Sequence, residues 1–155
     1  MIQRVQTIYL LISLMSCFIL LYIPMGTVAG HGEISYYLNG FSVSGEEDVF
    51  YSTYFLSGML VVIMLLQAIS VFDFKNRKRQ VILVQISLIL LLGLTVGILM
   101  YPDISEVPVQ ISSDEFKIDY NWWILFMILP WVLTYLAIRA IKRDEALVRS
   151  TERMR

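Results

Sequence analysis

Four stretches of this chain carry no Asp, Glu, Lys, Arg or His: residues 5–30, 49–72, 80–102 and 120–138. A bilayer's hydrocarbon core of about 30 Å needs about 20 consecutive apolar residues in an α-helix. A soluble domain of 155 residues has no use for four such runs in succession. The bulk numbers agree, with 57% hydrophobic and 16% charged residues, against roughly 45–50% and 25% in soluble domains. The pattern predicts a single membrane all-α domain over residues 1–155, a bundle of four transmembrane helices. The expected spans are about 5–27, 50–72, 81–101 and 121–141, with outer loops over about 28–49 and 102–120 and a helical tail over about 142–155. Residues 14–17, "LMSC", have the look of a lipoprotein cleavage site, but "FILLYIP" continues the apolar run beyond it, where a processed signal would have ended.

The charges that remain are sorted by side. Lys and Arg in short loops next to spans collect on the cytoplasmic face. Arg4, the knot Lys75, Arg77, Lys78 and Arg79, and the tail residues Arg139, Lys142, Arg143, Arg149, Arg153 and Arg155 make eleven of the twelve bases. The two remaining loops hold one base, Lys117, and nine of the thirteen acids. Alternation of four spans with this charge predicts both termini and the knot in the cytoplasm, and a bacterial inner-membrane location. A five-residue basic turn squeezed between two spans cannot follow a nucleic-acid duplex. It anchors topology and meets anionic headgroups, at about 1 kcal/mol per base.

Both outer loops carry strand signals. Ile34, Tyr36 and Leu38 alternate before Asn39-Gly40, and Phe41 and Val43 follow, a pattern that predicts a hairpin with its turn at Asn-Gly. Val107, Val109 and Ile111, then Phe116, Ile118 and Tyr120, repeat it, with Pro108 suited to an edge. Two such hairpins predict an outer sheet of about four strands. The plan resembles claudins in architecture alone, because the claudin loop signature of Trp and paired Cys is absent.

Inside the spans, ionisable residues would mark proton relays or ion paths, and none lies centrally. The only histidine, His31, lies between glycines in an outer loop, a poor haem or metal ligand. The single cysteine, Cys17, excludes an intramolecular disulfide and dithiol chemistry. No cofactor, metal or catalytic residue is expected. What the spans offer is packing chemistry: Gly93 and Gly97 at the spacing that lets helices approach closely, and Gln67 and Gln85 at matching depth in consecutive spans. A Gln67–Gln85 hydrogen bond is expected, either as a helix–helix lock or as the rim of a vestibule for a headgroup or quinone. Pro130 should kink the fourth span, and Trp122 and Trp123 should mark its outer interface. In the tail, Glu145 and Arg149 are four apart in the favourable order. Asp144, Glu145, Arg149 and Arg153 form a candidate partner interface.

The start "MIQRVQTIYLL" and the end "AIKRDEALVRSTERMR" resemble a Bacteroidota family of four-span inner-membrane proteins of unknown function. The likeness runs through the whole chain and is sharpest at the two ends. It implies compartment and topology but no site. Together these features make a non-enzymatic accessory, assembly or scaffold subunit of a larger membrane complex the expected role, with other membrane subunits or a second copy as partners. The alternative is a small transporter or a lipid- or quinone-binding protein using a glutamine-lined pocket on the cytoplasmic side.

Overall fold

A computed structural model describes residues 3–28, 31–38, 40–43, 49–73, 76–104 and 118–153. Among these, helix α1 spans Gln3–Leu20, α2 spans Tyr54–Phe72, α3 spans Arg77–Ile104 and α4 spans Ile128–Arg153. A 3₁₀ turn over Trp122–Met127 leads into α4. Strands β1 (Gly26–Val28), β2 (His31–Tyr37), β3 (Gly40–Val43) and β4 (Val49–Ser52) lie between α1 and α2, and β5 (Ile118–Tyr120) follows α3.

The helices close a ring: α1 packs on α2 and α4, and α3 packs on α2 and α4. The short α2–α3 connection, residues 73–76, makes that pair antiparallel. Gln6, Arg77 and Asp144 meet at one end of the bundle, so the start of α1, the α2–α3 turn and the end of α4 share that end. The sheet lies between the opposite helix ends. Arg77–Met100, Tyr54–Phe72 and Trp122–Leu147 are long and apolar enough to cross a membrane. The apolar part of α1 is shorter, Val5–Leu20, and the 18 residues of α1 rise about 27 Å.

Helix α1 ends well before residue 27. Leu21 and Tyr22 tighten the last turn with bonds to the carbonyls of Phe18 and Ile19, and Pro24 disfavours helical backbone in the residue before it. The chain then enters β1 instead of continuing the expected span. The fourth helix differs too. Pro130 lies in the first turn of α4, where a missing N–H costs no helical bond. It therefore opens the α-helix after a 3₁₀ turn, and the expected mid-span kink is replaced by that change of winding.

The sheet has five strands in the order β4-β3-β2-β1-β5, not four from two hairpins. The segment between α1 and α2 alone supplies four, as an antiparallel meander, and β5 adds to β1 with Gly26 opposite Tyr120. Tyr37 pairs with Gly40, so the β2–β3 turn falls one residue earlier than Asn39-Gly40. Leu38 is drawn into the core instead, with no exposed area, and its carbonyl accepts the Thr53 hydroxyl at 2.7 Å. The expected strand over residues 107–111 lies outside the described residues.

Two apolar clusters fill the bundle. One, on the sheet side, gathers Leu20, Met25, Tyr36, Leu56, Leu60, Leu94 and Ile98. The other, on the side of the chain ends, gathers Leu10, Val84, Ala137, Ile138 and Ile141. The outward faces are equally apolar, with Ile8, Met15, Phe18, Leu65, Ile89, Val96 and Val132 all exposed. Water would penalise such a surface at roughly 25 cal/mol per Å², whereas lipid tails solvate it. This is the surface of a membrane protein, and a lipid bilayer is the environment it fits.

Candidate functional site: a polar layer between two apolar clusters

Between the two apolar clusters lies a layer of small polar side chains. Ser13 and Ser16 come from α1, Gln67 from α2 and Thr134 from α4, and all are buried. Gln67 Nε2 donates to Ser13 Oγ at 3.0 Å and to Thr134 Oγ1 at 3.1 Å. The two hydroxyls lie 3.0 Å apart. The Thr134 hydroxyl donates to the Pro130 carbonyl at 2.7 Å, and Ser13 Oγ approaches the same oxygen at 3.3 Å. Ser16 Oγ donates to the Ser13 carbonyl. Three of the helices are thus tied at one level on the bundle axis.

The accounting is almost complete. Both amide hydrogens of Gln67 are used, both hydroxyls have partners, and Gln67 Oε1 is buried without one. An unmatched carbonyl in low dielectric costs about 1–3 kcal/mol, and among the described residues of the layer this oxygen is the acceptor left without a donor. The group types are amide and hydroxyl, which can bind and orient but supply no strong acid, base or nucleophile. Among the described residues there is no group of three or more His, Cys, Asp or Glu that could hold a metal ion.

A second clasp sits nearer the chain ends. Gln6 Nε2 donates to the Asp144 carboxylate, and Arg77 Nη1 donates to the Asp144 backbone carbonyl at 3.3 Å. Asp144 is 5% exposed. It therefore holds α1 to α4 and is withdrawn from the partner interface expected of it. Gln80 Nε2 closes the α2–α3 turn on the Ser70 carbonyl at 3.0 Å. Nearby, Arg79 Nε lies 3.4 Å from Asp73 Oδ2 with Arg79 69% exposed, a pairing in the range of 0–1 kcal/mol.

The expected Gln67–Gln85 bond is replaced by the polar layer. The buried positions of α3 are Gln80, Val84, Ser87, Leu91, Leu94 and Ile98, and Gln85 stands one residue, about 100° of helix rotation, off that stripe. Gln85 is exposed on the outside of the bundle. Gly93 and Gly97 face α2. A β-carbon added at Gly93 would lie 3.3 Å from Met59 Cε, and one at Gly97 would lie 3.0 Å from Leu56 Cδ2. Lys78 is exposed and Glu145 half-buried. Lys75 lies outside the described residues, as do the side chains of Arg149 and Arg153.

Sequence reasoning missed Ser13 and Thr134. Serine and threonine in apolar spans are common and satisfy themselves on their own helix, so only three-dimensional convergence marks them. One missed contact had a signal. Pro102 cannot donate to the Ile98 carbonyl four residues back, and the Tyr36 hydroxyl donates to that carbonyl at 3.4 Å. The Tyr120 hydroxyl donates to the adjacent Leu99 carbonyl at 3.0 Å, so β2 and β5 are both stitched to the end of α3.

No curated protein and no solved structure matches the chain. Residues 2–154 match a family described as a domain of unknown function, DUF4293, and the chain therefore belongs to the DUF4293 family.

Proposed function

We propose that this protein is a four-span accessory or scaffold subunit of a larger complex in the bacterial inner membrane, without catalytic activity of its own. Both termini and the basic turn face the cytoplasm, and the sheet faces outwards. The charge asymmetry of the loops supports this orientation, and so does the gathering of Gln6, Arg77 and Asp144 at one end of the bundle.

The observation that carries the subunit role is Gln85. It lies eight residues into α3 from Arg77, about 12 Å along the axis, and is exposed on an otherwise apolar face beside Ile82, Ile86 and Ile89. An amide at that depth faces lipid tails that can neither donate nor accept, and transmembrane helices bury such groups by hydrogen bonding to one another. A neighbouring helix with a hydroxyl or amide at the same depth satisfies Gln85 and makes α3 an assembly face. A photocrosslinking residue placed at position 85 in native membranes tests this. The expected product is one discrete protein adduct, and adducts to lipid alone would overturn the proposal.

One observation favours the alternative of a small-molecule or lipid carrier: the unmatched Gln67 Oε1 in the bundle interior. A polar guest donating one hydrogen bond would complete the layer. Binding of a quinone or lipid to the purified protein, lost in Gln67→Leu but kept in Gln85→Leu, would move the assignment to that reading.

A further inference from the structure

A groove of about 440 Å³ opens between α1 and α4 near the chain ends, lined by Val5, Tyr9, Leu136, Arg139, Ala140 and Arg143. Its volume falls within the roughly 300–1,000 Å³ of small-ligand sites. Arg139 and Arg143 are four apart on α4 and exposed, so their side chains rise from one helix face about 5–6 Å apart at the β-carbons. Among the described residues neither guanidinium has a carboxylate partner. The nearest acid in sequence, Asp144, is turned inward and held by Gln6.

The floor is built rather than incidental. Gln6 Nε2 reaches the Ala140 carbonyl at 3.4 Å as well as the Asp144 carboxylate, which pins α1 to α4 directly beneath the groove. Val5, next to Gln6, lies about level with Arg143, the Tyr9 ring about level with Arg139, and Leu136 carries the apolar lining on towards the bundle centre. A cation pair flanked by apolar side chains, with Leu136 leading towards the bundle centre, matches one chemistry, a phosphate with acyl chains attached. Guanidinium groups recognise phosphate oxygens in bidentate fashion, and the lining continues into the hydrocarbon layer.

We propose that this groove is a binding site for one anionic phospholipid, its phosphate held between Arg139 and Arg143 beside Val5 and an acyl chain laid along Tyr9 and Leu136. The site is separate from the basic α2–α3 turn and from the polar layer. It rests on the reading that the helices span a bilayer.

Native mass spectrometry of the full chain in mild detergent, titrated with phosphatidylglycerol, tests it. The wild type retains one lipid. Arg139→Gln/Arg143→Gln loses affinity roughly thirtyfold, as expected for two bases near an anionic surface. Val5→Trp keeps both charges but fills the groove, and it too loses the retained lipid. Lys78→Gln/Arg79→Gln, which removes equal charge from the turn, binds as the wild type does. Inorganic phosphate does not displace the lipid. Equal losses in the turn and groove variants would reduce the site to diffuse attraction and overturn it. So would retention in Val5→Trp or displacement by inorganic phosphate. Release of the wild-type protein from membranes by alkaline carbonate would instead overturn the membrane-spanning reading itself.

Discussion

The Tyr36 hydroxyl donates to the Ile98 carbonyl across the boundary between sheet and bundle. The acceptor is a backbone oxygen that Pro102, four residues on, cannot satisfy. A strand residue thus completes a helix, and the sheet is held to α3 by a group that a helical proline leaves open. Tyr36 has no exposed area, so neither partner has water to fall back on.

Tyr36→Phe should lower stability by about 1–2 kcal/mol, the usual cost of stranding a buried acceptor. Pro102→Ala restores an N–H within reach of the Ile98 carbonyl, so the same Tyr36→Phe change should cost less in that background. Thermal unfolding of the four proteins of this double-mutant cycle in detergent measures the difference, and additive effects would disprove the link.

The two glutamines should behave oppositely. Gln67→Leu removes two interhelical bonds, each worth about 0.6 kcal/mol on average and up to about 1.7 within membranes, and should destabilise the isolated protein by about 1–2 kcal/mol. Gln85→Leu replaces an exposed amide with an apolar group and should leave unfolding of the isolated protein unchanged. Comparable losses in both variants would restore the direct glutamine pair.

Glycines offer a contrast within one helix pair. A β-carbon at Gly58 meets nothing within 4 Å, so Gly58→Ala should stabilise α2 by up to about 1 kcal/mol. Gly97→Val has to push aside Leu56, whose Cδ2 is already 3.0 Å from the first added carbon, and should destabilise by about 1–3 kcal/mol. Unfolding midpoints of the two variants decide this.

Asp144→Leu breaks the clasp between α1 and α4 and leaves Gln6 only its 3.4 Å contact with the Ala140 carbonyl. Hydrogen bonds to charged groups are worth about 1.5–3 kcal/mol, and a loss of that order is expected. Faster protease cleavage near the start of α1 should accompany it. An unaltered melt with impaired association would instead return Asp144 to a partner interface.

How much of this was legible in the sequence depends on which physical signal each feature leaves. Helices over most of the four uncharged runs, and strand pairing after residue 31, follow from length and alternation. The end of α1 at Leu20 was written in Pro24, but an apolar run that continues to Ile23 conceals it. Gln85 was misplaced because depth can be counted along a helix, whereas facing requires the buried stripe, and α3 is apolar on every side. The same uniformity hid Ser13 and Thr134. In a bilayer both faces of a helix read alike, so periodicity, which locates the core of a soluble protein, carries little information here.

The most direct test of the assembly role is purification of the native protein in mild detergent, with Gln85→Leu prepared in parallel and co-purifying proteins identified at stoichiometric levels. A defined companion present with the wild type and lost or depleted with Gln85→Leu is the predicted result. A wild-type protein that runs alone and monodisperse, or a companion retained equally by Gln85→Leu, would contradict it.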